Sequence, residues 1–232
     1  MELEIQNLGR KFRGKQALSG LNLSLQGGQT WLLLGPNGSG KTTLMKLIAG
    51  LCAPSSGSLT LDGEVIGVAT KRRVAYMPTE NYFYSYMSVR DAGRYYRDFF
   101  DDFDLRCFED MIARANLDAA SAVRSLSSGE SAKLRLALTL SRDAQLMMFD
   151  EPINGVDMLT RDWVMDEIAA RRDGNRLMLI STHLVEQAEA VADHAAFLHH
   201  GELMHVGSMD ALCADRSLAD LYREIYGEVQ PC

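Results

Sequence analysis

One octapeptide constrains this chain more than any other stretch: Gly35-Pro36-Asn37-Gly38-Ser39-Gly40-Lys41-Thr42, which fits the pattern G-x-x-x-x-G-K-[ST]. Its neighbours are those the pattern needs. The apolar run at 30–34 reads as a strand buried on both faces, and residues 41–49 read as a helix closed by Gly50. Gly35, Gly38 and Gly40 let the backbone curl so that its N–H groups converge. The N-terminus of the helix adds partial positive charge there. Such a cradle accepts a chain of phosphates, with Lys41 reaching the outer ones and the Thr42 hydroxyl available to Mg²⁺.

An acidic element lies downstream. Leu146-Met147-Met148-Phe149 is an apolar strand that runs into Asp150-Glu151, and strand ends are where an open α/β sheet presents groups to a ligand. Asp150 would hold Mg²⁺ through water and Glu151 would polarise an attacking water; alone, the pair also reads as an acidic turn. Between the two elements, Ser127-Ser128-Gly129-Glu130 precedes a pattern at Leu134, Leu136, Leu138 and Leu140. By itself S-x-x-E is a helix-capping box and requires no function.

The remaining texture is an α/β core interrupted by helices. Leu3-Glu4-Ile5 and residues 21–25 alternate as strands, with a turn at Gly27-Gly28. Residues 58–61 with Asp62-Gly63 read as a short hairpin. Between 82 and 141 glycine is rare and helical spacing takes over, as in Tyr95/Phe99 and Tyr96/Phe100. Asp98, Asp101, Asp102 and Asp104 read as a solvated acidic face. Strands return at 145–150 and 176–181, separated by a helix over 161–172 that ends at Gly174. Residues 184–191 look helical, and 195–206 form a hairpin turning at His200-Gly201.

The net charge of −7 argues against nucleic acid, which calls for a basic footprint. No apolar run approaches the ~20 residues that cross a bilayer, and the N-terminus is no signal peptide. Work at a membrane would therefore need another polypeptide to span it. Cys52, Cys107, Cys213 and Cys232 form no CxxC pair and have no histidine at ligand spacing, so they read as reduced cytosolic thiols.

Taken together in their order and spacing, these motifs resemble the ATPase subunit of ATP-binding cassette (ABC) transporters over nearly the whole chain. The likeness comprises the P-loop at 35–42, an LSGGQ-like signature at Leu126–Glu130, the carboxylate strand at 146–151, a D-loop-like Asn154-Gly155-Val156-Asp157 and a switch histidine in Ser181-Thr182-His183. The resemblance implies a P-loop NTPase core: a RecA-like mixed sheet with flanking helices and an N-terminal antiparallel β-subdomain, plus an inserted helical subdomain. Residues 1–232 would form a single nucleotide-binding domain, with 1–81 and 142–232 as ATPase core and 82–141 as the helical insertion.

It also implies a composite site. Two cassettes would pair head to tail, a homodimer being favoured, with ATP and Mg²⁺ between the P-loop of one and the signature (Ser127, Ser128, Gly129, Glu130) of the other. The nucleotide would rest on residues 35–42 and Thr43, with Phe12 where the family places an aromatic against adenine; a core phenylalanine is the competing reading. Glu151 and His183 would be catalytic, and Asp157 would lie in the D-loop. Thr42 and Asp150 would serve the metal. Where the family supplies a glutamine, this chain has Thr79-Glu80, and either oxygen could serve the metal. Ser128, Glu130 and Val156 also depart from the usual glycine, glutamine and leucine.

The chain would work in the cytoplasm, peripherally on the inner face of the cell membrane, beneath separate transmembrane permease subunits. The aromatic run Tyr82, Phe83, Tyr84 and Tyr86, with Tyr95 and Tyr96, borders the region where such a subunit would dock, although about half of these rings are expected in the core. Tyr76-Met77-Pro78 is similar to cassettes of bacterial ABC-2-type exporters. The alternative is a soluble, non-transport cassette, for instance in iron–sulfur assembly.

Overall fold

The computed structural model describes residues 1–227. Alternation builds the first layer. Strands β1 (Glu2–Phe12) and β2 (Lys15–Gln26) bury Leu3, Ile5, Leu21 and Leu25 on one face and turn polar residues outward. They pair antiparallel, and β1 pairs on its other edge with a later strand, Ser56–Leu61, which turns at Asp62-Gly63 into Glu64–Val65. Both long strands exceed the alternating stretches that announce them, because register shifts in β1 after Ile5 break the period.

The second layer has six strands. In chain order they are β3 (Thr30–Leu34), β6 (Val74–Met77), β7 (Leu146–Asp150), β8 (Leu177–Thr182), β9 (His194–His199) and β10 (Glu202–Ser208); the hairpin strands of the first layer are β4 and β5. The spatial order is β10-β9-β3-β8-β7-β6, all parallel neighbours except the β9–β10 hairpin. Successive residues serve two cores. Trp31, Leu33, Met148 and Leu179 face the first layer and α1 (Lys41–Ile48). Leu32, Leu34, Phe149 and Ile180 face the opposite helices. A continuous apolar run is what burial on both faces demands.

Helix α2 (Val68–Lys71) leads into β6, and three helices fill the stretch between β6 and β7: α3 (Val89–Phe99), α4 (Leu105–Arg114) and α5 (Ser128–Leu140). Gly93 permits α3 to close on α4, since a Cβ there would stand 2.3 Å from the Phe108 ring. Helix α6 (Met158–Ala170) joins β7 to β8, and α7 (Val185–Ala188) follows β8. Beyond β10 come α8 (Met209–Leu212) and α9 (Leu218–Tyr226). Helix α9 is pinned beneath the P-loop strand: Tyr226 Oη donates to the Leu198 carbonyl at 3.0 Å and lies 3.3 Å from that of Leu34.

Several expectations need correcting. Helix α6 starts at Met158, three residues earlier than its apolar pattern suggests, because the Asp157 side chain accepts from Thr160 N–H and caps it. It ends at Ala170, and Gly174 belongs to the following turn. The acidic face is only partly a solvated one: Asp102 pairs with buried Arg142 at 2.6 Å, and Asp104 caps α4 through the N–H groups of Arg106 and Cys107. The aromatic run does divide. Tyr84, Tyr86 and Tyr95 are exposed, Tyr96 is buried, and Phe83 packs against the core. Cys52, Cys107 and Cys213 are free, and Cys232 lies outside the described residues.

Candidate nucleotide and catalytic site

The loop between β3 and α1 opens onto a cavity of about 1170 Å³. Gly40, at φ +115°, ends the loop; a Cβ there would stand 2.7 Å from Leu18 Cδ2 and 2.9 Å from the Ala17 carbonyl. The first turn of α1 therefore starts where only glycine fits. Asn37, Gly38, Gly40, Lys41, Thr42 and Thr43 line the cavity, while Ser39 is buried behind them. Gly35 and Pro36 enter through Lys41, whose Nζ donates to the Gly35 carbonyl at 2.6 Å and the Pro36 carbonyl at 3.3 Å.

Phe12 lines the same cavity and is 45% exposed, which removes the core-phenylalanine reading. The Arg10 guanidinium stands 4.4 Å from its ring centroid, a cation–π contact that steadies the ring at the cavity mouth.

The carboxylates sit where β7 ends. Asp150 is fully buried and held by hydroxyls: its Oδ1 accepts from Ser181 Oγ at 2.6 Å and Thr42 Oγ1 at 3.2 Å, and its Oδ2 from Tyr76 Oη at 3.1 Å. Glu151 adopts φ +50°, a left-handed conformation that costs a non-glycine residue roughly 1–2 kcal/mol. Its N–H donates to the Ser181 carbonyl and hydroxyl, which holds it there. That turn aims its side chain back at the P-loop. Lys41 Nζ lies 3.1 Å from Oε1, and His183 Nδ1 lies 2.9 Å from Oε2. An ionised Glu151 carboxylate only accepts, so this contact calls for the Nδ1–H tautomer of His183.

Thr79 and Glu80 both line the cavity, but they differ. The Thr79 hydroxyl donates to the Asp150 main-chain carbonyl at 3.0 Å, so it is committed to the strand end. The donor set suits a small hard cation. Thr42 Oγ1 and Asp150 Oδ1 are a hydroxyl and a carboxylate 3.2 Å apart beside a phosphate cradle, and Mg²⁺ takes oxygen ligands, few of them from protein. Among the described residues no group of three or more His, Cys, Asp or Glu side chains is placed to hold a metal ion.

The signature residues stand apart from this cavity. Ser127 caps α5 in a reciprocal box with Glu130, and Ser128 is the first helical residue. A Cβ on Gly129 would lie 3.4 Å from Asp157 Oδ2, so the signature and the D-loop aspartate are neighbours. None of the four signature residues lines the P-loop cavity. The structure thus gathers the sequence-predicted residues into two clusters. Sequence reasoning missed Tyr76 and Ser181 as partners of Asp150; the only available signal was their place at the ends of strands flanking β7.

Comparison with known proteins agrees with this layout. A family model described as ABC transporter matches residues 18–154. The ABC transporter ATP-binding protein YtrB of Bacillus subtilis (strain 168) is 31% identical over 216 residues, covering 90% of this chain and 73% of that one. The Nod factor export ATP-binding protein I of Rhizobium sp. (strain N33) is 28% identical over 223 residues, covering 90% and 72%. A dimeric post-hydrolysis structure of the ATP-binding cassette MJ0796, bound to ADP and Pi, superposes with a TM-score of 0.80 at 17% identity, over 89% of this chain and 98% of that one. At that identity the likeness is one of fold.

Proposed function

The chain belongs to the ABC transporter family as an ATP-binding cassette, and from that premise we propose that it hydrolyses ATP between two copies of itself to drive separate membrane-spanning subunits, in the direction of export. The observation that carries the reading is the arrangement at the end of β7: a buried carboxylate, Glu151, within 3.1 Å of the P-loop lysine and 2.9 Å of His183.

The roles follow from position. The N–H groups of the loop and the start of α1 cradle the phosphates, and Phe12 receives the base. Lys41 is shared between Glu151 and its own loop carbonyls, so an incoming triphosphate competes for it and releases the carboxylate. Glu151 then accepts hydrogen from water at the γ-phosphate, oriented by the His183 contact. Thr42 and Asp150 would hold Mg²⁺, which neutralises charge on the phosphates when bound. The signature cluster cannot serve its own cavity, so it serves a partner's, with the Ser127 hydroxyl and the α5 N-terminus facing that γ-phosphate.

Outward transport rests on the likeness to the Nod factor export protein and to ABC-2-type cassettes. Among the described residues no helix is long and apolar enough to cross a membrane. The exposed rings of Tyr84, Tyr86, Tyr95 and Phe99 offer a surface for a membrane subunit.

Glu151→Gln is the test. It keeps the hydrogen-bonding shape but removes the base, so ATP binding persists, turnover falls on the order of a thousandfold, and an ATP-bound dimer accumulates in size-exclusion chromatography. Unchanged ATPase activity overturns the catalytic assignment. Co-purification with a multi-spanning protein checks the transport half; a partner set without one favours the soluble, non-transport cassette.

A further inference from the structure

Asp150 has a fourth hydroxyl neighbour that the proposed reading does not use. Its Oδ1 is satisfied by Thr42 and Ser181, its carbonyl by Thr79, and its Oδ2 by the phenol of Tyr76 at 3.1 Å. Tyr76 lies on β6, which pairs with β7 so that Tyr76 stands opposite Met148, two residues before the carboxylate. With Leu51 and Tyr96, Tyr76 lines both the nucleotide cavity and a second cavity of about 210 Å³, which Phe100 and Arg142 line as well. Its hydroxyl stays on the metal-side aspartate.

We infer that Tyr76 is a positioning residue for the divalent cation: its phenol fixes the Asp150 oxygen left free by Thr42 and Ser181, and so sets how tightly Mg²⁺ is held beside the nucleotide. This rests on the reading of the site as an Mg-ATP site. The phenol is suited to the task because its ring hangs from a strand by two rotatable bonds. Losing a partner of a metal-holding group commonly weakens metal binding about tenfold to a hundredfold.

The test uses the full chain with a non-hydrolysable ATP analogue and Mn²⁺ as the probe, free Mn²⁺ being read by electron paramagnetic resonance. Tyr76→Phe keeps the ring and both cavity walls and removes only the hydroxyl. We expect Mn²⁺ to bind roughly tenfold more weakly to the analogue-loaded variant, while analogue binding in EDTA stays at the wild-type value. Unchanged Mn²⁺ affinity overturns the inference. So does equal weakening of Mn²⁺ and of metal-free analogue binding, since that marks a structural role alone. If the wild-type chain binds no analogue, the site reading itself fails and the inference with it. Wild-type binding with an unmoved Y76F removes the inference only.

Discussion

Glu130 stands where the family has an uncharged amide, and the structure shows what the carboxylate does. Its Oε2 accepts from both the N–H and the hydroxyl of Ser127 at 2.8 Å, while its own N–H donates to Ser127 Oγ at 3.2 Å. The bonds from Ser127 hold the Glu130 carboxyl below the usual carboxylate range. A depressed pKa in the folded state means that the cap is complete above the ordinary glutamate pKa and is lost as pH falls through the lowered one. At neutral pH a full negative charge therefore sits at the N-terminus of α5, and the Ser127 hydroxyl is already engaged. Under the proposed reading that is where a partner's γ-phosphate arrives. Glu130→Gln keeps an acceptor for the cap and drops the charge. In an E151Q background it should lower the ATP concentration for half-maximal dimerisation by about twofold to fivefold, read by light scattering. A higher ATP requirement contradicts the role assigned to the charge.

Among the elements, α5 links the two clusters. It begins at the signature and, two turns on, buries Arg135, which donates to the Pro78 carbonyl at 2.7 Å and to that of Thr79. Thr79 in turn bonds the Asp150 carbonyl. Replacing the guanidinium by the apolar side chain of Arg135→Met strands those carbonyls, at a cost of about 2–3 kcal/mol. The urea midpoint should fall with an unchanged slope, and the ATPase should lose activity at temperatures where the fold persists. This clamp was not legible in the sequence. The P-loop was, because a buried strand, a glycine turn and a helix announce themselves locally; so was the box at Ser127 and Glu130. The start of α6 was hidden because Met158 and Leu159, both exposed, do not follow the core-facing pattern. Tyr76 and Arg135 were hidden for another reason: their partners lie 74 and 56–57 residues away, and only the sheet order brings them together.

At the scale of the molecule, the decisive feature is that one chain holds the P-loop cluster and the signature cluster without joining them. If two chains close head to tail with two-fold symmetry, each cavity takes its missing half from the other chain. Genetic complementation then becomes simple arithmetic. A Glu151→Gln chain breaks only its own cavity, and a Ser127→Arg chain breaks only its partner's. When the two are paired, both lesions fall on the same site and the other site is whole. Mixed in equal amounts before ATP is added, two inactive proteins should give roughly half mixed dimers, and about a quarter of wild-type ATPase activity if each site fires alone. No activity means that the sites must fire together. Since neither parent turns over ATP, any signal above background counts the mixed dimers directly, and the pair of dead chains becomes an assay for how the living ones take turns.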